Sequence, residues 1–363
     1  MFLGIRDILF AKGRFALIGS VVGLITLLLV MLTGLTGGLG SQNTKAIEDL
    51  HATRMVFGTS GTSEPEVSYT NSTITDAQAQ QWADAPGVNS STPVGFTQGN
   101  LEANSATGIA VMGIPTDSSL VADNIGSDTG DSLKVEEGKL IISHAIADKT
   151  GAKVGDTVTV SGQQLTVQAI SHDTFYSHTP VAWTSTGTWQ QLAHVAPNVV
   201  GTALAVTGDA DYDALASATH AVTATPKESF TGLAAYSSEN KSLVTMQGFL
   251  YGISALVTVS FLTVWTIQRT RDIAVMRALG ASGKYLVKDA IFQAAVVLAV
   301  GAALGALVGW VLGALAAGAV PFQLEALTIA GPAFGIWVLG IAGAFVAVRR
   351  VSKIDPMIAL GGN

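Results

Sequence analysis

Tyr236, Glu239, Leu243, Met246 and Leu250 fall at i, i+3, i+7, i+10 and i+14, so a helix through this stretch carries all five on one face. Phenol, carboxylate and thioether can each ligate iron, and Leu243 and Leu250 add apolar surface on the same face. A face of that kind suits a metal-bearing amphipathic molecule. Glu239 has a second reading, as an N-terminal cap that gains from the helix dipole and binds nothing. The spacing alone does not separate the two.

Other chemistry is thinly represented. The six histidines (His51, His144, His172, His178, His194 and His220) form no HExxH and no i, i+4 pair, so no intrinsic metal site is expected and they read as satisfied surface residues. His172-Asp173 has no G-x-S-x-G nucleophile elbow to serve, so no catalytic residue is expected. The nearest approach to a phosphate loop, Gly280-Ala-Ser-Gly-Lys284, lacks the G-x-x-x-x-G-K-[ST] spacing. Asn71, Asn89 and Asn240 begin N-x-[ST] triplets, short enough to arise by chance in a Ser-rich chain.

The elements that must position these residues are membrane helices. Of 363 residues, 48% are hydrophobic and only 12% charged, too apolar for an ordinary soluble enzyme. The apolar residues gather in charge-free runs that place spans at 15–39, 242–267, 290–320 and 327–348, each long enough to cross about 30 Å of hydrocarbon. The first run exceeds a signal-peptide core and reads as a retained span. Beside the spans, 1–14, 268–289 and 349–363 carry eleven basic and four acidic residues. That bias places both termini and the 268–289 connection in the cytoplasm and residues 40–241 outside. The external part holds 21 acidic and 8 basic residues, which argues against nucleic acid as a partner. The chain has no cysteine, so this domain must hold together by its core.

Within 40–241 the pattern predicts a mixed α+β fold: a helix over 44–53, strands at 140–142, 156–160, 165–169, 181–183 and 203–207, and helices at 143–150 and 209–218. Residues 59–97 give no clear pattern. Residues 1–14 form an amphipathic segment suited to the inner membrane surface. Gly301, Gly305, Gly309 and Gly313 clear one face of the third span for backbone-to-backbone packing, against span four or a second subunit. Ile273, Met276 and Leu279, flanked by Arg271 and Arg277, form an apolar stripe with basic edges. Such a helix can dock on another protein, or it can end a span by extending its arginines to lipid headgroups.

Four stretches resemble one family. Arg271-Asp-Ile-Ala-Val-Met-Arg-Ala-Leu-Gly-Ala-Ser is similar to the R-E-x-x-x-x-R-A-x-G-A signature of MacB/FtsX-type ABC transporter permeases, with Asp272 where Glu is usual. Arg349-Arg-Val-Ser-Lys-Ile-Asp-Pro-Met-Ile-Ala-Leu resembles the family's R-x-x-x-I-D-P-x-x-A-L ending, and the stretches from Gly138 and Val154 resemble two of its external strands. The resemblance implies a homodimer in the bacterial cell membrane carrying two cytoplasmic ATPase subunits. ATP and Mg would act on the partner, and Arg271, Ile273, Met276, Arg277 and Leu279 would form the coupling helix. Tyr236-Ser-Ser-Glu and Tyr176-Ser-His-Thr-Pro-Val resemble the Y-S-A-E and Y-x-H-x-P-V elements of the haem-exporting HrtB subgroup. That narrower likeness implies haem as substrate, Tyr236, Glu239, Met246 and Tyr176 around it, and Glu239 as iron ligand. Lipoprotein, peptide or drug export, or FtsX-like signalling to cell-wall hydrolases, are the alternatives the broader family allows.

Overall fold

A computed structural model describes residues 12–59, 61, 64–118, 120–121, 125–126, 133–268, 275–276 and 280–351. The chain divides into two compact units, Gly40–Asn240 and the remainder, Met1–Leu39 with Lys241–Asn363.

The second of these is a helical bundle built from parts of α1 (Lys12–Glu48) and α7 (Ala234–Gln268) together with α8 (Gly283–Ala316) and α9 (Ala326–Val351). All four helices are long and apolar enough to cross a membrane. The helices run past the apolar runs that reveal them. A span must cover the hydrocarbon, but nothing requires the helix to stop there. Thus α8 starts at Gly283, where the Ser282 side chain accepts from the Tyr285 amide. Residues 283–289, which the sequence assigns to the connection, are therefore its first turns.

The glycine face of α8 packs against α1 of the same chain, correcting the expected partner. A Cβ on Gly301 would lie 2.7 Å from the Gly19 carbonyl oxygen, and one on Gly305 would overlap the Gly23 carbonyl. Further along, Gly309 meets Val30 and Gly313 meets the Phe322 ring. Around this seam Val22, Leu29, Val297, Leu298 and Ile336 form the buried core of the bundle.

The inserted unit is mixed α+β. Its ten-stranded sheet runs β12-β1-β11-β3-β4-β9-β5-β7-β6, with β8 on β9. The strands are β1 (Arg54–Phe57), β3 (Val88–Glu102), β4 (Ala106–Ile114), β5 (Lys139–Ser143), β6 (Thr157–Val160), β7 (Gln163–Ser171), β8 (Phe175–Tyr176), β9 (Thr179–Ser185), β11 (Ala203–Gly208) and β12 (Val222–Ala224). A separate ribbon pairs β2 (Ile74–Thr75) with β10 (Val199–Gly201). The long strand β3 also bonds β6 through Leu101 and Glu102, so six strands close on one another around Leu101, Ile109, Leu140, Val158 and Val167. The β6–β7 hairpin turns on Ser161 and Gly162, both at positive φ, as the alternating runs on either side predict. The helix expected over 44–53 stops at Glu48, because the chain must extend at Thr53 to bond the Val206 carbonyl and enter β1. The stretch that gave no pattern, 59–97, contains β2, α2 (Asp76–Ala83) and the start of β3. A Thr75–Gln78 capping box begins α2, and Trp82 is buried from it.

Candidate functional site

Within the inserted unit three distant parts of the chain meet at Glu239. Asn43 comes from α1, His178 from the turn between β8 and β9, and Glu239 from the first turns of α7. The His178 Nε2 lies 2.9 Å from Glu239 Oε2, and the Asn43 Nδ2 lies 3.1 Å from the same oxygen. A carboxylate can only accept, so both nitrogens donate to it, and His178 carries its proton on Nε2. The 2.9 Å approach of Asn43 Nδ2 to His178 Nε2 follows from two donors converging on one acceptor. Asn43 is buried, while His178 and Glu239 keep 30% and 43% of their side-chain surface exposed. The pair is therefore reachable from solvent.

Local structure explains how His178 arrives there. Tyr176 pairs with Thr179, leaving Ser177 and His178 as a two-residue turn. Both sit at positive φ, +49° and +64°. That is the backbone of a hairpin turn that usually takes Asn-Gly, since side chains with a Cβ are disfavoured in it. Two backbone bonds hold it: Ser177 N–H donates to the Asn43 carbonyl at 3.2 Å and His178 N–H to the Gln42 carbonyl at 2.9 Å. Nearby, the Thr174 hydroxyl donates to Asp49 at 2.9 Å in a buried bond.

The other predicted site residues fall differently. Glu239 does not cap its helix, because α7 begins at Ala234, a full turn earlier. Tyr176 is a correction. Its ring is buried among Tyr69 and Phe96, with centroids 5.9 and 5.0 Å away. Burial pushes its phenol far above the ordinary range, which disfavours the phenolate there. Tyr236 is half-buried, its ring 5.5 Å from that of Phe230 at the edge of the domain core. Met246 belongs to the bundle unit and is 46% exposed. Of the coupling stretch, Arg271, Ile273, Arg277 and Leu279 lie outside the described residues, as do residues 1–11 and the tail beyond 351; Met276 is half-buried. Among the described residues no group of three or more His, Cys, Asp or Glu is placed to hold a metal ion. The Asp173 carboxylate accepts from the Ala145 amide in the first turn of α3 (His144–Thr150).

Sequence reasoning missed Asn43 and read His178 as an ordinary surface histidine. For His178 a signal exists in the Ser-His pair itself, at a hairpin position where glycine is expected. Asn43 carries none, being 196 residues from Glu239.

In the bundle, an apolar crevice of about 700 Å³ runs along the α1–α8 seam past Gly19, Gly23, Val300, Gly301 and Leu304. It contains no ionisable side chain.

Four membrane helices, with an α+β domain inserted between the first and second, define a membrane-spanning protein with a large inserted domain. Residues 244–356 match the FtsX-like permease C-terminal family and residues 15–222 match the MacB-like periplasmic core domain. The chain belongs to the MacB/FtsX-type ABC transporter permeases, a cell-membrane family whose members work with an ATPase partner. Among its relatives is a Staphylococcus epidermidis protein provisionally named hemin transport system permease protein HrtB, 23% identical over all of both chains. An uncharacterised ABC transporter permease of Mycobacterium tuberculosis is 24% identical, over 100% of this chain and 99% of that one. The periplasmic region of MacB from Actinobacillus actinomycetemcomitans aligns with a TM-score of 0.37 at 13% identity, covering 50% of this chain and 92% of that one.

Proposed function

We propose that this chain is the permease of an ABC exporter that removes haem from the membrane, with Glu239 as the iron ligand and Tyr236 and Met246 beside it. The observation that carries this reading is the state of Glu239. Glu239 is an ionisable side chain at the edge of the second span, a place where such groups are functional candidates. Here it is held by two donors and stays open to solvent instead of capping its helix. The name carried by the staphylococcal relative supports the same cargo.

In this mechanism two copies of the chain carry two ATPase subunits, with both termini in the cytoplasm as the basic flanks favour. ATP binds and is hydrolysed, with Mg, on the partner, and the helix through Arg271, Ile273, Met276, Arg277 and Leu279 transmits its motion. The substrate enters laterally from the bilayer near Glu239 and is squeezed outward when the first two spans close.

Glu239→Ala tests the cargo. The purified protein should lose the Soret shift of bound haem, and cells relying on it should lose haem tolerance. Stability should fall by no more than about 1 kcal/mol, because the hydrogen-bonded pair is partly exposed. The second reading is another amphipathic cargo, such as a lipoprotein, peptide or drug, or FtsX-like signalling. It is favoured by equal identity to uncharacterised mycobacterial permeases, and it predicts an unchanged spectrum and unchanged haem tolerance in this variant.

A further inference from the structure

We propose that the Ser177–His178 turn is a positioning element for Glu239: His178 and Asn43 hold one carboxylate oxygen so that the other is presented to the substrate. The inference rests on the haem reading above and assigns the role of the groups around the ligand.

Three observations point the same way. First, both donors choose the same oxygen, Oε2, and among the described residues Oε1 accepts no hydrogen bond. A carboxylate held on one oxygen and open on the other is prepared to ligate through a single oxygen. Outer partners of this kind fix the orientation of metal-binding side chains. Second, the turn is strained for its sequence. Two consecutive non-glycine residues in the left-handed region are each disfavoured by the contact of Cβ with the backbone. Asn-Gly would relieve that cost while making the same two backbone bonds to Gln42 and Asn43. What Ser-Gly or Asn-Gly could not supply is the imidazole on Glu239. Third, the anchor points are firm. The carbonyls of Gln42 and Asn43 that receive the turn lie in a helix, and Asn43 is itself buried. The imidazole is thus delivered by a short hairpin bonded at its base and at its tip, and only the carboxylate face remains open.

His178 is a positioning residue here and does not touch iron. Its N–H withdraws charge from Oε2 and fixes the carboxylate rotamer, so Oε1 meets the metal without first losing side-chain freedom. Loss of such a partner typically weakens metal binding about 10–100-fold.

The test uses the full-length protein in nanodiscs, titrated with ferric protoporphyrin IX and melted without it, as wild type, His178→Gly, His178→Asn and Glu239→Ala. His178→Gly should bind about 10–100-fold more weakly with a displaced Soret maximum, and its unliganded melting temperature should stay level or rise, since glycine suits φ +64°. His178→Asn, which tolerates that backbone and can still donate an N–H, should recover most of the affinity. Wild-type affinity in His178→Gly alongside lost binding in Glu239→Ala would overturn the positioning role and leave the haem reading standing. Wild-type binding in Glu239→Ala would end both. A melting temperature several degrees lower in His178→Gly would make the residue a structural anchor and likewise overturn the proposal.

Discussion

The inserted domain and the helical bundle solve packing in opposite ways. The domain fills its interior with the largest side chains the sequence holds. Trp82, Trp183, Trp189 and Tyr69 are all fully buried. Glycine serves them there: a Cβ on Gly95 or Gly113 would overlap the Trp189 indole, so the two strands carrying them form a hole for one knob. In the bundle glycine meets glycine, Gly19 against Gly301 and Gly23 against Gly305, and the contact is made of backbone. The solvent explains the difference. In water, burying apolar area drives folding, so large side chains contribute most. In lipid the surroundings are as apolar as the protein, and helices associate where small residues let many atoms touch. Large apolar side chains of the bundle accordingly face outward, with Phe249 at 69%, Leu256 at 67% and Leu315 at 76% exposure.

The largest test of this contrast is Trp189→Ala. Deleting a fully buried indole should cost about 3–5 kcal/mol, read from equilibrium unfolding of the full-length chain by near-UV circular dichroism. A loss below about 1 kcal/mol would mean that the β3–β4 hole collapses at little cost, and the domain would not depend on its knobs. The bundle should show the reverse dependence. Gly305→Leu adds apolar mass that an aqueous core might accommodate, but here it meets the Gly23 carbonyl and should cost about 1–3 kcal/mol. Its readout is the thermal unfolding midpoint in nanodiscs. The disruption is expected inside one chain, so an unfolding midpoint unchanged from wild type would contradict the close α1–α8 contact.

How much of this was legible beforehand depends on how local the signal is. The spans announce themselves because hydropathy needs only neighbours. The β6–β7 hairpin did so too, because alternation flanks a Ser161-Gly162 turn. Helical spacing and a short family likeness single out Glu239, and the structure adds its partners His178 and Asn43, which that spacing does not announce. The glycine face of α8 was visible, yet its partner was misjudged, although Gly19 and Gly23 stand four apart in the first span and announce a matching face. Tyr176 was misplaced for another reason. A two-residue strand is too short to reveal which way its alternation faces, and the ring turned inward to Tyr69 and Phe96. Asn43 was beyond reach, because its role depends on contacts 135 and 196 residues away.

The smallest predicted effect is the sharpest comparison, because the same chemistry occurs in each region. In the inserted domain the Ser229 hydroxyl donates to the Pro226 carbonyl at 2.6 Å and stands 2.8 Å from the buried Tyr69 hydroxyl, which donates to it. In the bundle the Thr36 hydroxyl donates to the Leu32 carbonyl at 2.7 Å and accepts from Gln247 Nε2 at 3.1 Å, joining α1 to α7. Removing Ser229 leaves a buried phenol without its acceptor, at a cost of about 1–3 kcal/mol for Ser229→Ala. The unfolded reference there is hydrated, so the full desolvation of the phenol is felt. Thr36→Val keeps the shape of the side chain and removes the hydroxyl, and with it both its bond to Leu32 and its bond from Gln247. Its reference state is a separated helix still in the membrane, where Gln247 finds other partners, and such interhelical bonds average about 0.6 kcal/mol. A double-mutant cycle with Gln247→Leu isolates the pair, and its coupling should stay near that value. Coupling above about 2 kcal/mol would mean that Gln247 is stranded without Thr36. Polar contacts would then hold the first and second spans together, and small-residue packing alone would not describe the bundle.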